Sequence, residues 1–131
     1  MLVSWLGQAS HNLLFVDDEQ DIVTTMKRGL EKHGFNVDGF TDPLQALKSF
    51  RANHYYQIVT DIRMPIMNGF EFARAIYAKD QSANICFLTS FEILEDEAKK
   101  VFSSLPSHCF VKKPITPSEL ANHIRSRDLD S

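Results

Sequence analysis

The sequence has few of the residues that mark special classes of protein. Its 131 residues include two cysteines, five glycines, five prolines and one tryptophan. So few cysteines exclude a disulfide-rich scaffold, and so little glycine and proline excludes a low-complexity chain. Because 44% of the residues are hydrophobic, the composition is that of a folded globular protein rather than a disordered one.

An excess of one charge and long apolar runs are also lacking. The net charge is −3, so no basic surface for nucleic acid or anionic lipid is indicated. The apolar stretch within residues 1–9 is too short to cross a bilayer and has no basic residues before it, and no other stretch is apolar enough. We therefore expect a cytoplasmic protein with no direct contact to nucleic acid or membrane.

The two cysteines, Cys86 and Cys109, each lie in a short apolar run. Such runs predict buried strands, and a cysteine within one is most often a free thiol that packs like a small apolar side chain. A disulfide or a metal site is the less favoured alternative, because neither cysteine belongs to a CxxC motif. The sequence therefore predicts two buried free thiols, in keeping with an intracellular protein.

Short apolar runs alternate with amphipathic segments along the whole chain. The runs, which predict strands, begin near residues 13, 35, 57, 85 and 109, and apolar residues at helical spacing follow each of them. Five such repeats predict a doubly wound, five-stranded parallel sheet with helices on both faces, a flavodoxin-like three-layer α/β sandwich. The length fits one domain over residues 12–127, with a leader or tail at residues 1–11 and a tail at residues 128–131.

Two helix starts are marked by capping residues. Asp42 is followed by Pro43, which is the order of an N-cap and a first helical residue. Thr116 and Glu119 have the spacing of a capping box. The helix after Asp42 is predicted to bury three apolar residues, Leu44, Leu47 and Phe50.

Polar residues stand where four of the predicted strands end, namely Asp17 and Asp18, Asp61, Thr89, and Lys113. Ligands of open α/β sheets bind beyond the carboxyl ends of the strands, so we expect these side chains to meet at one rim. Three carboxylates in one cleft repel each other unless a cation is present, and oxygen ligands suit Mg²⁺. A carboxylate beside such an ion can attack phosphorus, while an ammonium and a hydroxyl hold the phosphoryl oxygens.

Each of these residues also has a purely structural interpretation when it is taken alone. Asp17 and Asp18 precede a helix and suit its positive end, Thr89 suits a strand, and Lys113 suits a solvated surface. Asp61 is harder to explain in this way, because an unpaired carboxylate at the end of an apolar strand is costly. The occurrence of all five at the ends of the right strands favours a functional site.

The same residues resemble the response regulator receiver domains of two-component signalling systems. The matching pieces are the acidic pair after Val16, the segment DIRMPIMNG at residues 61–69, Thr89-Ser90 and Lys113-Pro114. They stand in the family's order, and the resemblance covers nearly the whole chain. It implies a signalling domain that catalyses only its own phosphorylation and dephosphorylation, rather than a metabolic enzyme.

The resemblance also implies a role for each residue of the rim. Asp61 is expected to accept the phosphoryl group, and Lys113 to pair with it, with a cis peptide bond between Lys113 and Pro114. Thr89 and Phe110 are expected to move together as the switch. Mg²⁺ or Mn²⁺ is expected to bind the carboxylates of Asp17, Asp18 and Asp61 and the backbone carbonyl of Arg63.

The partners that the resemblance implies are proteins. A histidine kinase or phosphotransfer protein is expected to donate the phosphoryl group, and an unknown output protein to read it over residues 92–127. Phosphorylation-dependent dimerisation is a further expectation. The alternative is a receiver-like docking module that works without phosphate, against which the intact set of site residues speaks.

Two other functions of similar sheets fit the residues less well. An aspartate-nucleophile phosphatase has a second acid two residues after the nucleophile, where Arg63 stands and cannot donate a proton in that role. A flavin-binding protein would need a phosphate loop after the first strand, where Asp17-Asp18-Glu19 would repel phosphate.

Overall fold

A computed structural model of the chain describes residues 11–90 and 109–130, with side chains up to residue 126. The predicted helix at residues 92–104 and most of the predicted leader lie outside the described residues. Strands and helices alternate through the described ranges. They are β1 (Asn12–Val16), α1 (Gln20–Lys32), β2 (Asn36–Phe40), α2 (Pro43–Ser49), β3 (Gln57–Asp61), α3 (Gly69–Lys79), β4 (Ile85–Thr89), β5 (Cys109–Lys112) and α4 (Pro117–Asp130).

The five strands form one parallel sheet in the order β2-β1-β3-β4-β5. The predicted fold class is therefore confirmed. The chain moves from β1 outward to β2 and then returns to the other side of β1 to form β3. The topological switch point lies between β1 and β3, so the carboxyl ends of these two strands border the crevice in which such sheets bind ligands.

Apolar side chains of the sheet are buried on both faces. In β1, Leu13 and Phe15 pack on the face covered by α1 and α4, whereas Leu14 and Val16 pack on the face covered by α2 and α3. This division follows from the alternation of side chains along a strand. Every residue of the central strand β3 is buried, including its last residue, Asp61. The core thus holds the site-bearing strands rigidly from both sides.

The predicted buried face of α2 is wrong at Leu44, which is 41% exposed, and right at Phe50, which is buried. Leu47 is partly buried against the core, and Pro43 and Ala46, which we did not predict, are buried as well. Asp42 caps the helix as predicted, since its Oδ1 accepts a hydrogen bond of 2.9 Å from the amide of Leu44. The buried stripe therefore starts at Pro43.

The two helices on the other face begin and end at recognisable signals. Gly34 follows the C-cap of α1 with a φ of +92°, a left-handed conformation that ends the helix. The predicted capping box of α4 is confirmed, since the amide of Thr116 donates to Glu119 Oε1 (2.9 Å) and the amide of Glu119 donates to Thr116 Oγ1 (3.1 Å). The helix then continues to Asp130 and so includes most of the segment 128–131 that we predicted as a tail.

Candidate functional site

Three carboxylates meet at the carboxyl ends of β1 and β3. Asp17 and Asp18 directly follow β1, and Asp61 ends β3, its neighbour in the sheet. One carboxylate oxygen from each residue lies within 4.8 Å of the other two. Asp17 is 0% exposed and Asp61 9% exposed, whereas Asp18 faces solvent. The predicted convergence of the three acidic residues is therefore confirmed.

Lys113 brings one positive charge into this cluster. Its Nζ donates a hydrogen bond of 3.0 Å to Asp17 Oδ2 and lies 3.4 Å from Asp61 Oδ1. Burial lowers the pKa of Lys113, but the two carboxylates outweigh burial, so the pKa is raised overall and the ammonium is retained. Three carboxyl groups face one ammonium at the rim, and this excess of acidic groups would favour a bound cation.

Asp61 is held in an environment that disfavours its ionised form. Burial raises the pKa of its carboxyl group, the charge of Lys113 opposes this, and the charge of Asp17 adds to it, with a net increase. Asp61 Oδ1 also accepts a hydrogen bond of 2.9 Å from the amide of Ile62. The carboxyl group is thus fixed by its own strand end while its charge is only partly balanced.

The chain beyond β5 is anchored beside β4. The amide of Lys113 donates a hydrogen bond of 2.7 Å to the carbonyl of Thr89. The Lys113-Pro114 peptide bond is cis, as predicted. Because Thr89 ends β4 and is joined to Lys113 through the backbone, the hydroxyl-bearing and ammonium-bearing residues lie at the same rim as the carboxylates.

The loop after Asp61 returns tightly against the strand end. The amide of Gly69 donates a hydrogen bond of 2.8 Å to the carbonyl of Ile62. A Cβ atom on Gly69 would lie 2.9 Å from Ile62 Cα and would also overlap the carbonyl oxygen of Asp61. No other residue fits here without moving the backbone of the site. The loop holds Arg63, whose side chain is exposed.

A capping box that we did not predict fixes the far end of this loop. The amide of Asn68 donates to Glu71 Oε1, the amide of Glu71 donates to Asn68 Oδ1, and both bonds measure 2.9 Å. The Asn68 and Glu71 spacing in the sequence was the signal that could have revealed it. Ile66, between the two anchored ends, has a φ of +74° and is exposed.

Thr89 and Phe110 lie on the same face of the sheet. Phe110 is paired directly with Phe87 of β4, and Thr89 stands two residues beyond Phe87, so all three side chains point to one side. The ring centroids of Phe87 and Phe110 are 5.6 Å apart. Phe110 is 37% exposed, so its ring rests partly in solvent at this edge of the sheet.

The prediction of two free buried thiols is wrong. Cys86 and Cys109 form a disulfide bond between β4 and β5. The strand register places the two residues directly opposite each other, with their Cα atoms 4.6 Å apart. Cys86 is buried, as expected, and Cys109 is half-buried. Both lie near the amino ends of their strands, whereas Asp61 lies at the carboxyl end of β3, so the disulfide and Asp61 are at opposite ends of the sheet.

A doubly wound sheet with an acidic cluster and a lysine at its switch point is the arrangement that the resemblance to receiver domains predicts. The chain belongs to the response regulator receiver domain family, whose sequence pattern matches residues 13–125. This membership places the chain in two-component signalling. The acidic cluster of Asp17, Asp18 and Asp61 is typical of the magnesium site of receiver domains.

Similar proteins include a transcriptional regulatory protein and a sensor protein that are both longer than this chain. The transcriptional regulatory protein PrrA of Mycobacterium tuberculosis is 29% identical over 120 residues, which are 92% of this chain and 51% of PrrA. The sensor protein EvgS of Escherichia coli K12 is 34% identical over 86% of this chain and 9% of EvgS. The chain thus spans about half the length of PrrA.

Solved structures agree with the fold. The chemotaxis response regulator CheY4 of Vibrio cholerae is 26% identical, with a TM-score of 0.73 over 88% of this chain and 96% of that one. A receiver domain protein of Clostridium thermocellum is 25% identical, with a TM-score of 0.75 over 92% and 98%. In the part of the chain that the structure describes, no helix combines the length and the apolar character needed to cross a membrane.

Proposed function

We propose that this receiver domain, over residues 12–127, is a phosphorylation-controlled switch and that Asp61 accepts the phosphoryl group. The observation that carries the proposal is the position of the Asp61 carboxyl group. It lies at the topological switch point, beside Asp17 and Asp18 and 3.4 Å from Lys113 Nζ. A structural carboxylate would not need two further carboxylates next to it, because their repulsion costs stability.

Mg²⁺ or Mn²⁺ fits the donor set of this rim. The carboxylates of Asp17, Asp18 and Asp61 would hold the ion together with the carbonyl of Arg63, and oxygen ligands with free positions for water suit these cations. The bound ion would screen the charge of an incoming phosphoryl group and neutralise charge that develops during transfer.

The residues of the chain supply the remaining chemistry. A carboxylate oxygen of Asp61 attacks phosphorus, and a P–O bond forms as the bond from phosphorus to the histidine nitrogen of the donor breaks. The imidazole leaves with the bonding electron pair, and the product is an acyl phosphate on Asp61. Lys113 Nζ is close enough to both Asp17 and Asp61 to move its contacts to a phosphoryl oxygen.

The signal leaves the site through Thr89 and Phe110. A phosphoryl oxygen on Asp61 gives the Thr89 hydroxyl a new hydrogen-bond partner at the rim. Movement of Thr89 on the face that it shares with Phe110 then lets the partly exposed ring turn inward. This redistributes the domain between two states, which is how a local charge change becomes a surface signal.

The proposed partners follow from this chemistry. The donor is a histidine kinase or a histidine phosphotransfer protein, and the output protein binds the surface near Phe110. A dimer formed on phosphorylation would be one such readout. We propose a cytoplasmic location, because the donor histidine is itself phosphorylated with ATP, which is a cytoplasmic substrate. The alternative, a docking module that works without phosphate, is distinguished by the following experiment.

The test is the intact mass of the protein after incubation with acetyl phosphate, with and without Mg²⁺. Wild type is expected to gain one phosphoryl group only when Mg²⁺ is present, and Asp61→Asn is expected to gain none. Asp38→Asn is the matched control, since it changes an exposed aspartate of the same sheet away from the rim. It is expected to behave as wild type.

Two results would contradict the proposal. An adduct of equal yield in Asp61→Asn would move the phosphoacceptor to another residue. No adduct on wild type from acetyl phosphate or from a phosphorylated histidine phosphotransfer protein, with Mg²⁺ bound and the protein folded, would favour the docking module.

A further inference from the structure

We propose that Cys86, Cys109 and His123 form a reversible thiol–disulfide site at the edge of the sheet opposite to the acidic rim. The disulfide joins β4 to β5 on the face covered by α1 and α4. His123 reaches it from α4. This second site would respond to cellular dithiols and disulfides, and its chemistry does not depend on phosphorylation of Asp61.

The imidazole of His123 is placed to act on both sulfur atoms. Its Nε2 lies 3.5 Å from Cys109 Sγ and 4.0 Å from Cys86 Sγ. An imidazole at this distance stabilises a thiolate that leaves or attacks in thiol–disulfide exchange. The flanking residues Leu120 and Ile124 are buried, which anchors this turn of α4 while His123 itself stays exposed to solvent.

The two sulfurs differ in accessibility. Cys86 is buried, whereas Cys109 is half-buried and begins β5 at the edge of the sheet. Of the two residues, Cys109 is therefore the more accessible to an external thiolate. Accessibility of one sulfur, with a proton-carrying group beside both, distinguishes this disulfide from one that is closed within a core.

Reduction proceeds in two exchange steps with a dithiol. A thiolate of the dithiol attacks Cys109 Sγ, and the S–S bond breaks, so that Cys86 leaves as a thiolate and takes a proton from His123. The second thiol of the dithiol then attacks the first dithiol sulfur, which is bonded to Cys109 in the mixed disulfide. The bond between that sulfur and Cys109 Sγ breaks, and Cys109 is released as a thiol. The protein gains two thiols and two electrons, and the dithiol becomes a disulfide. Oxidation is the reverse reaction, with a small-molecule or protein disulfide as the oxidant.

A metal site is the competing interpretation of the same residues. Ligand atoms of Cys86, Cys109 and His123 lie within 4.8 Å of one another, and two thiolates and an imidazole would suit Zn²⁺. Sulfurs that are bonded to each other are not thiolates and do not supply such ligands. The disulfide therefore favours redox exchange, and zinc binding is made an outcome of the test.

The first experiment counts thiols in the folded wild-type chain. The folded protein is treated with oxidised glutathione or with dithiothreitol, quenched with acid, alkylated in denaturant so that the buried Cys86 also reacts, and weighed by mass spectrometry. We expect no alkyl groups after oxidation and two after reduction, mapped to Cys86 and Cys109, with full return on reoxidation. Asp61→Asn is expected to give the same counts, so that this result stays separate from the phosphoacceptor proposal.

Three results would overturn the inference. Two free thiols after oxidation would show that no disulfide forms, and a disulfide that resists dithiothreitol until the chain is unfolded would be purely structural. One zinc ion bound per reduced chain, lost in Cys109→Ser and protecting both thiols from oxidation, would establish a metal site instead.

The second experiment tests His123 by the rate of reduction with dithiothreitol. His123→Ala is expected to slow reduction of the disulfide by on the order of tenfold and to flatten its pH dependence, because the proton donor is lost. Asn122→Ala is the matched control, since it alters the preceding, exposed residue of α4. Equal rates and pH profiles in His123→Ala and wild type would remove His123 from the site.

Discussion

Asp61 is a nearly buried carboxylate that shares a single lysine with Asp17. Its pKa is raised by burial, so the folded protein binds this proton more tightly than the unfolded chain does. Linkage then requires the free energy of unfolding to fall as the pH rises through the folded pKa. The loss of unfolding free energy that ionised Asp61 causes is complete above the folded pKa and absent below the ordinary value of 3.8.

Removal of this charge should therefore stabilise the protein. We expect Asp61→Asn to raise the free energy of unfolding by about 1 kcal/mol near pH 7 without Mg²⁺, and the gain to shrink as the pH approaches 3.8. Urea denaturation over this pH range measures it. Asp21→Asn, an exposed acid in the first turn of α1, should be neutral or slightly destabilising. A destabilised Asp61→Asn near pH 7 would refute the argument.

Gly69 determines how closely the loop can approach Asp61. In Gly69→Ala the new Cβ would meet the backbone of Asp61 and Ile62, which cannot move without displacing the site. We expect a loss of about 1–3 kcal/mol in unfolding free energy together with weaker Mg²⁺ binding, measured by denaturation and by magnesium titration.

Gly34→Ala provides the control for this variant. Its φ of +92° strains any other residue, but Gly34 lies at the end of α1, away from Asp61. It should lose stability by about 1 kcal/mol and bind Mg²⁺ as wild type does. Equal loss of Mg²⁺ binding in both variants would mean that the effect reflects stability rather than the loop.

Most of the acidic site could be predicted from single residues, because the site depends on which residue types stand at the strand ends. Asp17, Asp61 and Lys113 each follow or end an apolar run, and a parallel sheet brings such ends together whatever the details of packing. The capping role of Asn68 was missed because its hydrogen bonds depend on where α3 begins. That boundary is set by the return of Gly69 to Ile62, which is a tertiary contact.

The helices begin at side-chain caps whose strength can be compared. Asn68→Ala should cost about 1 kcal/mol, and because Asn68 also ends the loop from Asp61, the variant should be phosphorylated more slowly. Thr116→Ala removes the corresponding cap of α4 and should cost a similar amount without slowing phosphorylation. Thermal denaturation and the rate of acetyl phosphate labelling test both variants. Equal labelling rates in Asn68→Ala and Thr116→Ala would show that the cap of α3 does not influence phosphorylation of Asp61.

The two errors of prediction at the scale of elements have different causes. Leu44 was wrongly included in the buried stripe of α2 because Pro43 was counted only as a start signal and not as an apolar side chain. The disulfide was missed because Cys86 and Cys109 are 23 residues apart, and only the register of β4 against β5 places them opposite each other. Such a register depends on how the apolar residues of both strands meet the core, so it does not follow from the neighbours of either cysteine alone.

The excess of acidic groups at the rim affects the stability of the whole domain. Because three carboxylates face one ammonium, a cation that binds only the folded state should stabilise it. At a Mg²⁺ concentration ten times its dissociation constant, we expect about 1.4 kcal/mol of stabilisation, which raises the melting temperature by roughly 5 °C. Thermal denaturation with and without MgCl₂ measures this shift.

The controls for this experiment separate binding from screening. Sodium chloride at matched ionic strength should give a much smaller shift. Asp18→Asn should lose most of the Mg²⁺ effect, since it removes an exposed carboxylate and leaves the hydrogen bond of Lys113 to Asp17 intact, whereas Asp38→Asn should keep the effect. An undiminished shift in Asp18→Asn would place the ion elsewhere.

The contact between α1 and α4 joins an early helix of the domain to its last one. Val23, Met26 and Leu30 of α1 are buried in the same cluster as Leu120, Ala121 and Ile124 of α4. The guanidinium group of Arg125 lies 4.8 Å from the ring centroid of Phe35, just after α1. On a ribosome, which releases the chain from its amino end, the apolar face of α1 emerges long before its cover is translated. Chaperones therefore have a defined apolar face to protect until α4 leaves the exit tunnel.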